Sequence, residues 1–376
     1  MSEIQTALGK LRRQRGISAV ELATAVGVRR QTIYAMEAGT YVPNTAVALR
    51  LARALGSTVE ELFALADEDP APPRAQRATL LPDAPPPQPG QAVQLCQVDK
   101  RLIAALPSPI PWYLPATDAI VSEAFSEPSP KAAKAAVRIF APEGDFSNRI
   151  LVAGCDPAIS VLSRHVAPAG IDLVLIHRNS TQSLGLLRDG YTHIAGTHLR
   201  DEAGGESNLP AISRLFRKSA VAVVSFAVWE VGILTAPGNP KAIRGVADLA
   251  EAGCRIINRE PGAGSRALLD SELKKLSIPP TRVAGYDNEA PGHLAAAWQV
   301  QSGAADACIA TRAAARAFGL DFVSLGSERY DFAIRREHLE LPRIQNLLDI
   351  LNRRAFRREL DELGGYDSSV AGRRII

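Results

Sequence analysis

The sequence predicts two unlike folded parts: an all-α bundle of short helices over residues 1–66 and an α/β domain over residues 146–376. Three observations predict them. The first 66 residues read as short capped helices with helical apolar spacing. From about residue 149, apolar runs of strand length alternate with helical patterns. Between the two lies a proline-rich run. A chain of 376 residues, 46% hydrophobic and 22% charged, is long enough for two or three such units.

Ile4, Leu8 and Leu11 share helical spacing and open the bundle. Ser18, with Glu21 three residues on, forms a capping box for a second helix, which Leu22, Ala23 and Val26 bury and Gly27 ends. "GVRRQTIYAMEAGTYVP" (Gly27–Pro43) holds a third. "NTAVALRLARALG" and "STVEELF" supply a fourth and fifth, Gly56 stopping one and Ser57 or Thr58 capping the other. Residues 67–92 read as an extended proline-rich linker and residues 93–145 as a small β-rich connector built on "AVQLCQV", "RLIAAL" and "AVRIFA".

In the α/β part, "RILVAGC", "IDLVLIH", "THIAGTHL", "AVAVVSFAVWEVGILTAP", "CRIINRE" and "DACIA" read as strands of parallel sheets. Helices follow the first two and start near Val246, Ser265, His293 and Thr311. "LPRIQNLLDILNRRAFRREL" reads as one amphipathic helix. No apolar run approaches the length of a membrane span and no signal peptide is evident, so a cytoplasmic protein without membrane contact is expected. Cys96, Cys155, Cys254 and Cys308 are far apart, which predicts neither a zinc site nor a disulfide framework.

The charge is uneven. Residues 1–66 carry eight Lys/Arg against five Asp/Glu, while the rest of the chain carries 35 of each, so the whole net charge of +3 belongs to the first segment. A polyanion partner is expected there. The second and third helices, joined by a glycine turn, match a helix-turn-helix. On the third helix, Ile33 and Met36 face inward, while Arg30, Gln31, Thr32 and Tyr34 face outward toward base edges in a major groove. Arg29 adds charge at its start. Arg12 and Arg13, or Arg50 and Arg53, are the candidates for phosphate contacts. "LRRQRGISAVELATAVGVRRQTIYAMEAGTYVPNTAVALRLARALGSTVEELF" resembles the Cro/lambda-repressor type of helix-turn-helix domain over residues 4–65. The family often has Ser where Arg29 stands. The resemblance implies a DNA operator as partner, bound by a homodimer or higher homo-oligomer, because one short recognition helix reads too few bases alone.

In α/β domains, ligands bind beyond the carboxyl ends of strands, at helix N-termini. "GCDPA", "HRNSTQS" and "INREPGAGSRALLD" occupy such positions. The last is the richest: Gly262 and Gly264 permit close backbone approach, Ser265 starts a helix, and Arg259 and Arg266 offer charge and forked donors. Ser180 and Thr181 join them from the second loop. Each residue has a plainer structural use: Ser180 and Ser265 as caps, Arg266 paired with Asp270. His165, His177, His193, His198 and His293 are scattered, match no catalytic triad or metal spacing, and predict no catalysis.

"NSTQSLGLLRDGYTHIAGTHLRD", "GNPKAIRGVADLA", "INREPGAGSRALLD", "AGYDNEAPGHLAAAWQVQSGAADACIA" and "ELGGYDSSVAGR" resemble the periplasmic-binding-protein-like domain linked with molybdate recognition. The resemblance covers most of residues 149–370. It implies a two-lobed α/β fold of the type II solute-binding kind with the ligand between the lobes. It also implies a molybdate-responsive regulator whose effector is a small oxyanion, molybdate or tungstate, and no other cofactor. Ser180 matches the family's Gly-Ser position with Asn179 in place of Gly. Asn258 and Arg259 match an Asn-Arg pair. Ala263 and Ser265 replace Ser and Thr in a Gly-Ser-Gly-Thr-Arg pattern that ends on Arg266. Three other readings stay open: an organic metabolite in the same cleft, an enzyme or a handler of molybdenum cofactor that the DNA-binding domain makes autoregulatory, and an oligomerisation domain that binds nothing.

Overall fold

The computed structural model describes residues 4–65, 75–107, 116–125, 132–140, 146–199, 208–217, 220–251 and 253–376, and the chain divides into two compact units, Met1–Arg74 and Ala75–Ile376. The first unit is built from β1 (Ile4–Thr6), α1 (Leu8–Gln14), α2 (Ala19–Val26), α3 (Arg30–Glu37), α4 (Thr45–Leu55), α5 (Val59–Leu62) and β2 (Phe63–Leu65). Ser18 and Glu21 cap α2 reciprocally, and Gly27 ends it in the left-handed region, φ 75°. Asn44 caps α4, and Thr58 forms the capping box of α5 with Glu61. Leu8, Leu22, Val26, Ile33, Met36, Leu51, Leu55 and Leu62 fill one core. Ile4, read as helical, instead pairs with Leu65 in a short antiparallel ribbon that ties the two ends of the bundle together.

The second unit opens with β3 (Ala75–Leu80), β4 (Ala92–Val98), β5 (Arg101–Ala105), β6 (Ala119–Phe125) and β7 (Lys134–Ile139), a closed barrel in the order β3-β5-β4-β6-β7. Residues 75–80, read by composition as linker, are therefore a barrel strand; residues 67–74 of that segment lie outside the described residues. The near-continuous apolar run of β4 has a physical reason. Val93 and Leu95 face the barrel interior, while Cys96 and Val98, on the opposite face, pack with Leu151, Ala153, Val174 and Ile176 of the neighbouring sheet. Arg149 adds ionic contacts between barrel and sheet, its Nη1 donating to Asp118 Oδ2 at 2.5 Å and to the Leu95 carbonyl at 2.8 Å.

The remainder forms one nine-stranded sheet and its helices: β8 (Arg149–Gly154), α6 (Ile159–Val166), β9 (Asp172–His177), α7 (Ser180–Arg188), β10 (Ile194–Thr197), α8 (Leu209–Leu215), β11 (Val221–Thr235), β12 (Ile256–Arg259), α9 (Gly264–Lys275), β13 (Glu289–Ala290), α10 (His293–Gln301), β14 (Ala307–Thr311), α11 (Arg312–Phe318), β15 (Asp321–Arg335), α12 (Pro342–Leu351), α13 (Arg354–Glu362) and β16 (Tyr366–Asp367). Strand order is β13-β12-β14-β11-β15-β10-β8-β9, with β16 on β11. The sheet is mixed rather than parallel: β8, β9 and β10 are parallel, as are β12, β13 and β14, but β11 and β15 run antiparallel along nearly their full 15 residues each.

That long pair makes two lobes out of one sheet. Its outer half meets β10, β8 and β9; its inner half meets β14, β12 and β13. Each lobe has its own core, one around Ile150, Leu162, Phe332 and Phe356, the other around Ile233, Ile256, Leu269 and Ile309. The C-terminal helical run is two helices, because Arg353 is extended (ψ 133°) and breaks the chain between α12 and α13.

Candidate functional site

In the first unit, α3 keeps Ile33 and Met36 fully buried while Arg29, Arg30, Gln31 and Tyr34 are exposed and Thr32 half-exposed. Arg29 occupies the N-cap position without a side-chain cap, so its guanidinium stays available. Arg30 reaches along the helix: its Nη2 donates to Tyr34 Oη at 3.0 Å, with the guanidinium 5.2 Å from the ring centroid. Arg13 is exposed. Arg12 is not free for phosphate, which corrects the expectation. Its Nε donates to Glu37 Oε1 at 2.5 Å and its Nη1 to the Ile17 carbonyl at 2.9 Å, bracing α1 against the end of α3.

In the second unit, the loops after β8, β9, β10 and β12 and the starts of α7, α9 and α10 meet between the lobes. Ser180, the first residue of α7, is fully buried, and its Oγ accepts the His198 backbone N–H at 3.0 Å. Gly264, the first residue of α9, lies so close to His198 that a Cβ there would come within 2.5 Å of the imidazole. Gly292 likewise admits the His177 ring, against which a Cβ would come within 2.4 Å. Asn179 Nδ2 donates to the Pro261 carbonyl at 3.1 Å and Thr181 Oγ1 to the Gly262 carbonyl at 3.3 Å, so the lobes are hydrogen-bonded across the cleft.

At the centre, Cys155 Sγ lies 3.3 Å from His198 Nε2 and 3.9 Å from His293 Nε2. Glu328 Oε2, from β15, is 2.9 Å from His198 Nδ1 and accepts Trp229 Nε1–H at 3.3 Å. Arg259, 1% exposed, is held by Glu260 through Nε (2.9 Å) and Nη2 (3.0 Å). Burial opposes its charge, but Glu260 and the neighbouring Cys155 sulfur keep it protonated. Burial pushes the His293 imidazole well below its ordinary range, with Arg259 and His198 adding to the effect, and pushes His177 down to about 4. Burial also raises Asp156 to about 6, although it accepts hydrogen bonds from Tyr366 Oη at 2.7 Å and Ala158 N–H at 2.8 Å.

Five buried polar atoms of the groups described here have no hydrogen-bond partner among the described residues: Arg259 Nη1, Ser265 Oγ, His293 Nδ1, His177 Nε2 and, on the carboxyl of Asp156, Oδ2. Neither α9 nor α10 has a side-chain N-cap, Ala263 and Gly292 being unable to supply one. Buried, unpaired donors at helix N-termini are costly unless something accepts from them. The arrangement can hold a small ligand that accepts several hydrogen bonds at once.

The sequence-predicted residues divide accordingly. Ser180, Arg259, Gly264 and Ser265 line the cleft. Thr181 joins the lobes instead of facing inward. Asn258 is spent on structure, donating to the Tyr286 carbonyl at 3.1 Å and accepting the Arg259 N–H at 2.9 Å. Arg266 turns away: its Nη1 donates to Glu289 Oε1 at 2.8 Å and to the Arg259 carbonyl at 3.1 Å, and its guanidinium lies over Tyr286. Its expected partner Asp270 accepts from Tyr286 Oη instead. Cys155, His198, His293 and Glu328 were not among the expected site residues. His198 and His293, two of the five histidines read as scattered and unrelated to any metal pattern, meet because the segments that carry them end at the same cleft, whereas His165 pairs with Glu359 and His193 lies beside His338.

Comparison with known proteins matches one family in each of the two compact units. The PBP superfamily domain matches residues 163–352 and the helix-turn-helix family matches residues 8–62. YvgK of Bacillus subtilis (strain 168) is 34% identical over 249 residues, covering 66% of this chain and 80% of that protein. An HTH-type transcriptional regulator of Methanothermobacter thermautotrophicus is 46% identical over 69 residues, 18% of this chain and 99% of that one. Among solved structures, the sulfate-binding protein SubI from Mycobacterium tuberculosis H37Rv aligns with TM-score 0.44 and 19% identity over 58% of this chain and 86% of its own. The tungstate ABC transporter from Geobacter sulfurreducens aligns with TM-score 0.44 and 14% identity over 57% of this chain and 98% of its own. With half of its length matched by one domain and residues 8–62 by another, the chain belongs to the PBP superfamily domain family and is a DNA-binding helix-turn-helix regulator with a PBP-like ligand-binding domain.

Proposed function

We propose that this protein is a cytoplasmic one-component transcription regulator that binds its operator as a homodimer and responds to a small tetrahedral oxyanion of the molybdate or tungstate class between the lobes. The observation that carries the ligand class is the set of buried, unpaired polar atoms: Arg259 Nη1, Ser265 Oγ, His293 Nδ1 and His177 Nε2. A tetrahedral oxyanion offers several acceptors in a compact volume and would satisfy such donors together with the uncapped starts of α9 and α10. Arg259 supplies the fixed positive charge, and its pairing with Glu260 orients the guanidinium. A cleft lined with unpaired donors argues against a domain that serves only for oligomerisation.

The DNA side of the proposal assigns Arg30, Gln31, Thr32 and Tyr34 to base edges and Arg13 and Arg29 to phosphates. Calorimetric titration of the full chain with molybdate, tungstate, sulfate and phosphate tests the ligand class. Saturable binding of molybdate and tungstate, weaker binding of sulfate, and at least about a tenfold loss in Arg259→Ala are expected, because truncating a buried charged donor costs about 2–5 kcal/mol. Absence of heat and of thermal stabilisation with all four anions would remove the oxyanion and direct the search to organic ligands.

A further inference from the structure

We infer that Cys155, His198 and His293 form a binding site for a borderline divalent transition-metal ion of the Zn2+ type. The inference rests on reading the interlobe cleft as the ligand site, but not on the identity of the anion. The three side chains come from three separate places: the loop after β8, the loop after β10, and the first residue of α10. The first two belong to one lobe and the third to the other. All three are buried, and one ligand atom from each lies within 4.8 Å of the others.

The sulfur–nitrogen spacings are compatible with a coordination shell. Zn2+ binds thiolate sulfur at about 2.3 Å and imidazole nitrogen at about 2.0 Å, which in a tetrahedron separates sulfur from nitrogen by about 3.5 Å. The observed separations, 3.3 Å to His198 Nε2 and 3.9 Å to His293 Nε2, bracket that value. One sulfur and two imidazoles are donors that suit zinc and its neighbours and do not suit magnesium or calcium.

The supporting shell is also present. Glu328 Oε2 sits 2.9 Å from His198 Nδ1, a position in which the carboxylate would take the Nδ1–H and turn the Nε2 lone pair of a ligating imidazole toward the ion. Trp229 Nε1–H donates to the same carboxylate oxygen at 3.3 Å and fixes it. The His198 ring is further held by Trp229, edge-on at 4.8 Å between centroids, and by Tyr330, stacked at 5.9 Å. Three protein ligands leave a fourth position for an exogenous donor, the arrangement of a metal site that binds something else. Because His293 comes from the opposite lobe, the ion would also clamp the cleft shut.

The test is a titration of reduced, chelator-stripped full-length protein with Co2+, followed by Zn2+. Expected are a thiolate-to-cobalt charge-transfer band and the strong visible bands of tetrahedral Co2+. Both should saturate at one ion per chain and be abolished by Zn2+. Cys155→Ser should lose the charge-transfer band although Cys96, Cys254 and Cys308 remain. Glu328→Gln should weaken Co2+ binding by about 10–100-fold, the usual effect of removing a carboxylate that orients a ligating histidine. Absence of the band in the wild-type protein, or its persistence in Cys155→Ser, would overturn the inference, and the wild-type titration decides the matter even if a variant fails to fold. Molybdate is titrated separately on the metal-free protein. Molybdate binding without the cobalt band would remove the metal site and keep the anion; the cobalt band without molybdate binding would do the reverse.

Discussion

His193 gives the second unit a pH dependence of known sign. It is buried, accepts the Leu151 N–H on Nδ1 at 3.0 Å, and is pushed down to about 3 by burial, with His338 and Arg343 beside it adding to the shift. The folded chain therefore keeps it neutral where the unfolded chain, near the ordinary 6.5, takes up a proton. Stability should be full above about pH 6.5 and fall as the pH drops toward 3, at up to about 1.4 kcal/mol per pH unit from this one residue. Urea unfolding between pH 7 and pH 4 should show that loss, and His193→Asn, which keeps an acceptor for Leu151, should flatten it; equal slopes in both proteins would assign the dependence elsewhere. Arg259 and Arg266 make a second contrast. They flank one loop, Arg259 ending β12 and Arg266 in the first turn of α9, yet only Arg259 faces the cleft, so Arg266→Ala should leave the anion response within about twofold while Arg259→Ala removes it. Sequence could point to Arg259, Ser180 and Ser265 as residues at helix starts after strands, because those are local features. It did not single out Cys155, His198, His293 and Glu328 as a group, whose meeting depends on how two loops, a helix start and a strand from two lobes converge, and no spacing along the chain encodes that. Nor did it reveal that Arg266 leaves the cleft, since the competing partners Glu289 and Tyr286 lie 23 and 20 residues away.

At the scale of the element, α3 separates residues that hold it from residues that it presents. Ile33→Ala should cost about 2–5 kcal/mol of stability through the cavity it leaves, and it acts on DNA only by loosening the helix. Gln31→Ala should lower preference at one base position, whereas Arg13→Ala should weaken all sequences alike and reduce the slope of log affinity against log salt by about one. Arg12→Ala should lower the melting temperature of the bundle without changing that slope, because Arg12 is engaged with Glu37. Fluorescence anisotropy across salt concentrations and binding-site variants distinguishes the four. The helices of this unit were legible because their caps, Ser18-Glu21, Asn44 and Thr58-Glu61, sit beside their apolar faces. Elements defined by distant partners were less so. β15 holds mixed residues such as Ser324, Gly326 and Glu328, and becomes a strand by pairing with the strongly apolar β11. β3 follows prolines yet closes a barrel by pairing with β5 and β7.

For the whole molecule, regulation requires that ligand and operator favour the same or opposite arrangements of the chain, and some element must be shared by both equilibria. The barrel, residues 75–139, follows the DNA-binding unit in sequence and packs against the lobe that carries β8 and β9. It also touches the ligand loop directly. Arg178, between β9 and the start of α7, pairs with Asp83 of the barrel, its Nη2 donating to Asp83 Oδ1 at 3.1 Å, while its Nη1 donates to the His177 carbonyl at 2.7 Å. A shift of the loop that carries His177, Asn179 and Ser180 on ligand binding would thus be felt at Asp83. The expected consequence is a separation of binding from response. Wild-type operator affinity should change by about 5–150-fold with saturating molybdate, the span of typical coupling energies. Asp83→Ala should bind molybdate about as well, since no cleft donor is lost, yet show a smaller molybdate effect on operator affinity. Operator affinity measured with and without molybdate for both proteins checks this. An unchanged molybdate effect in Asp83→Ala would show that the signal bypasses this ion pair, leaving the apolar contact of Cys96 and Val98 with the sheet as the route through the barrel.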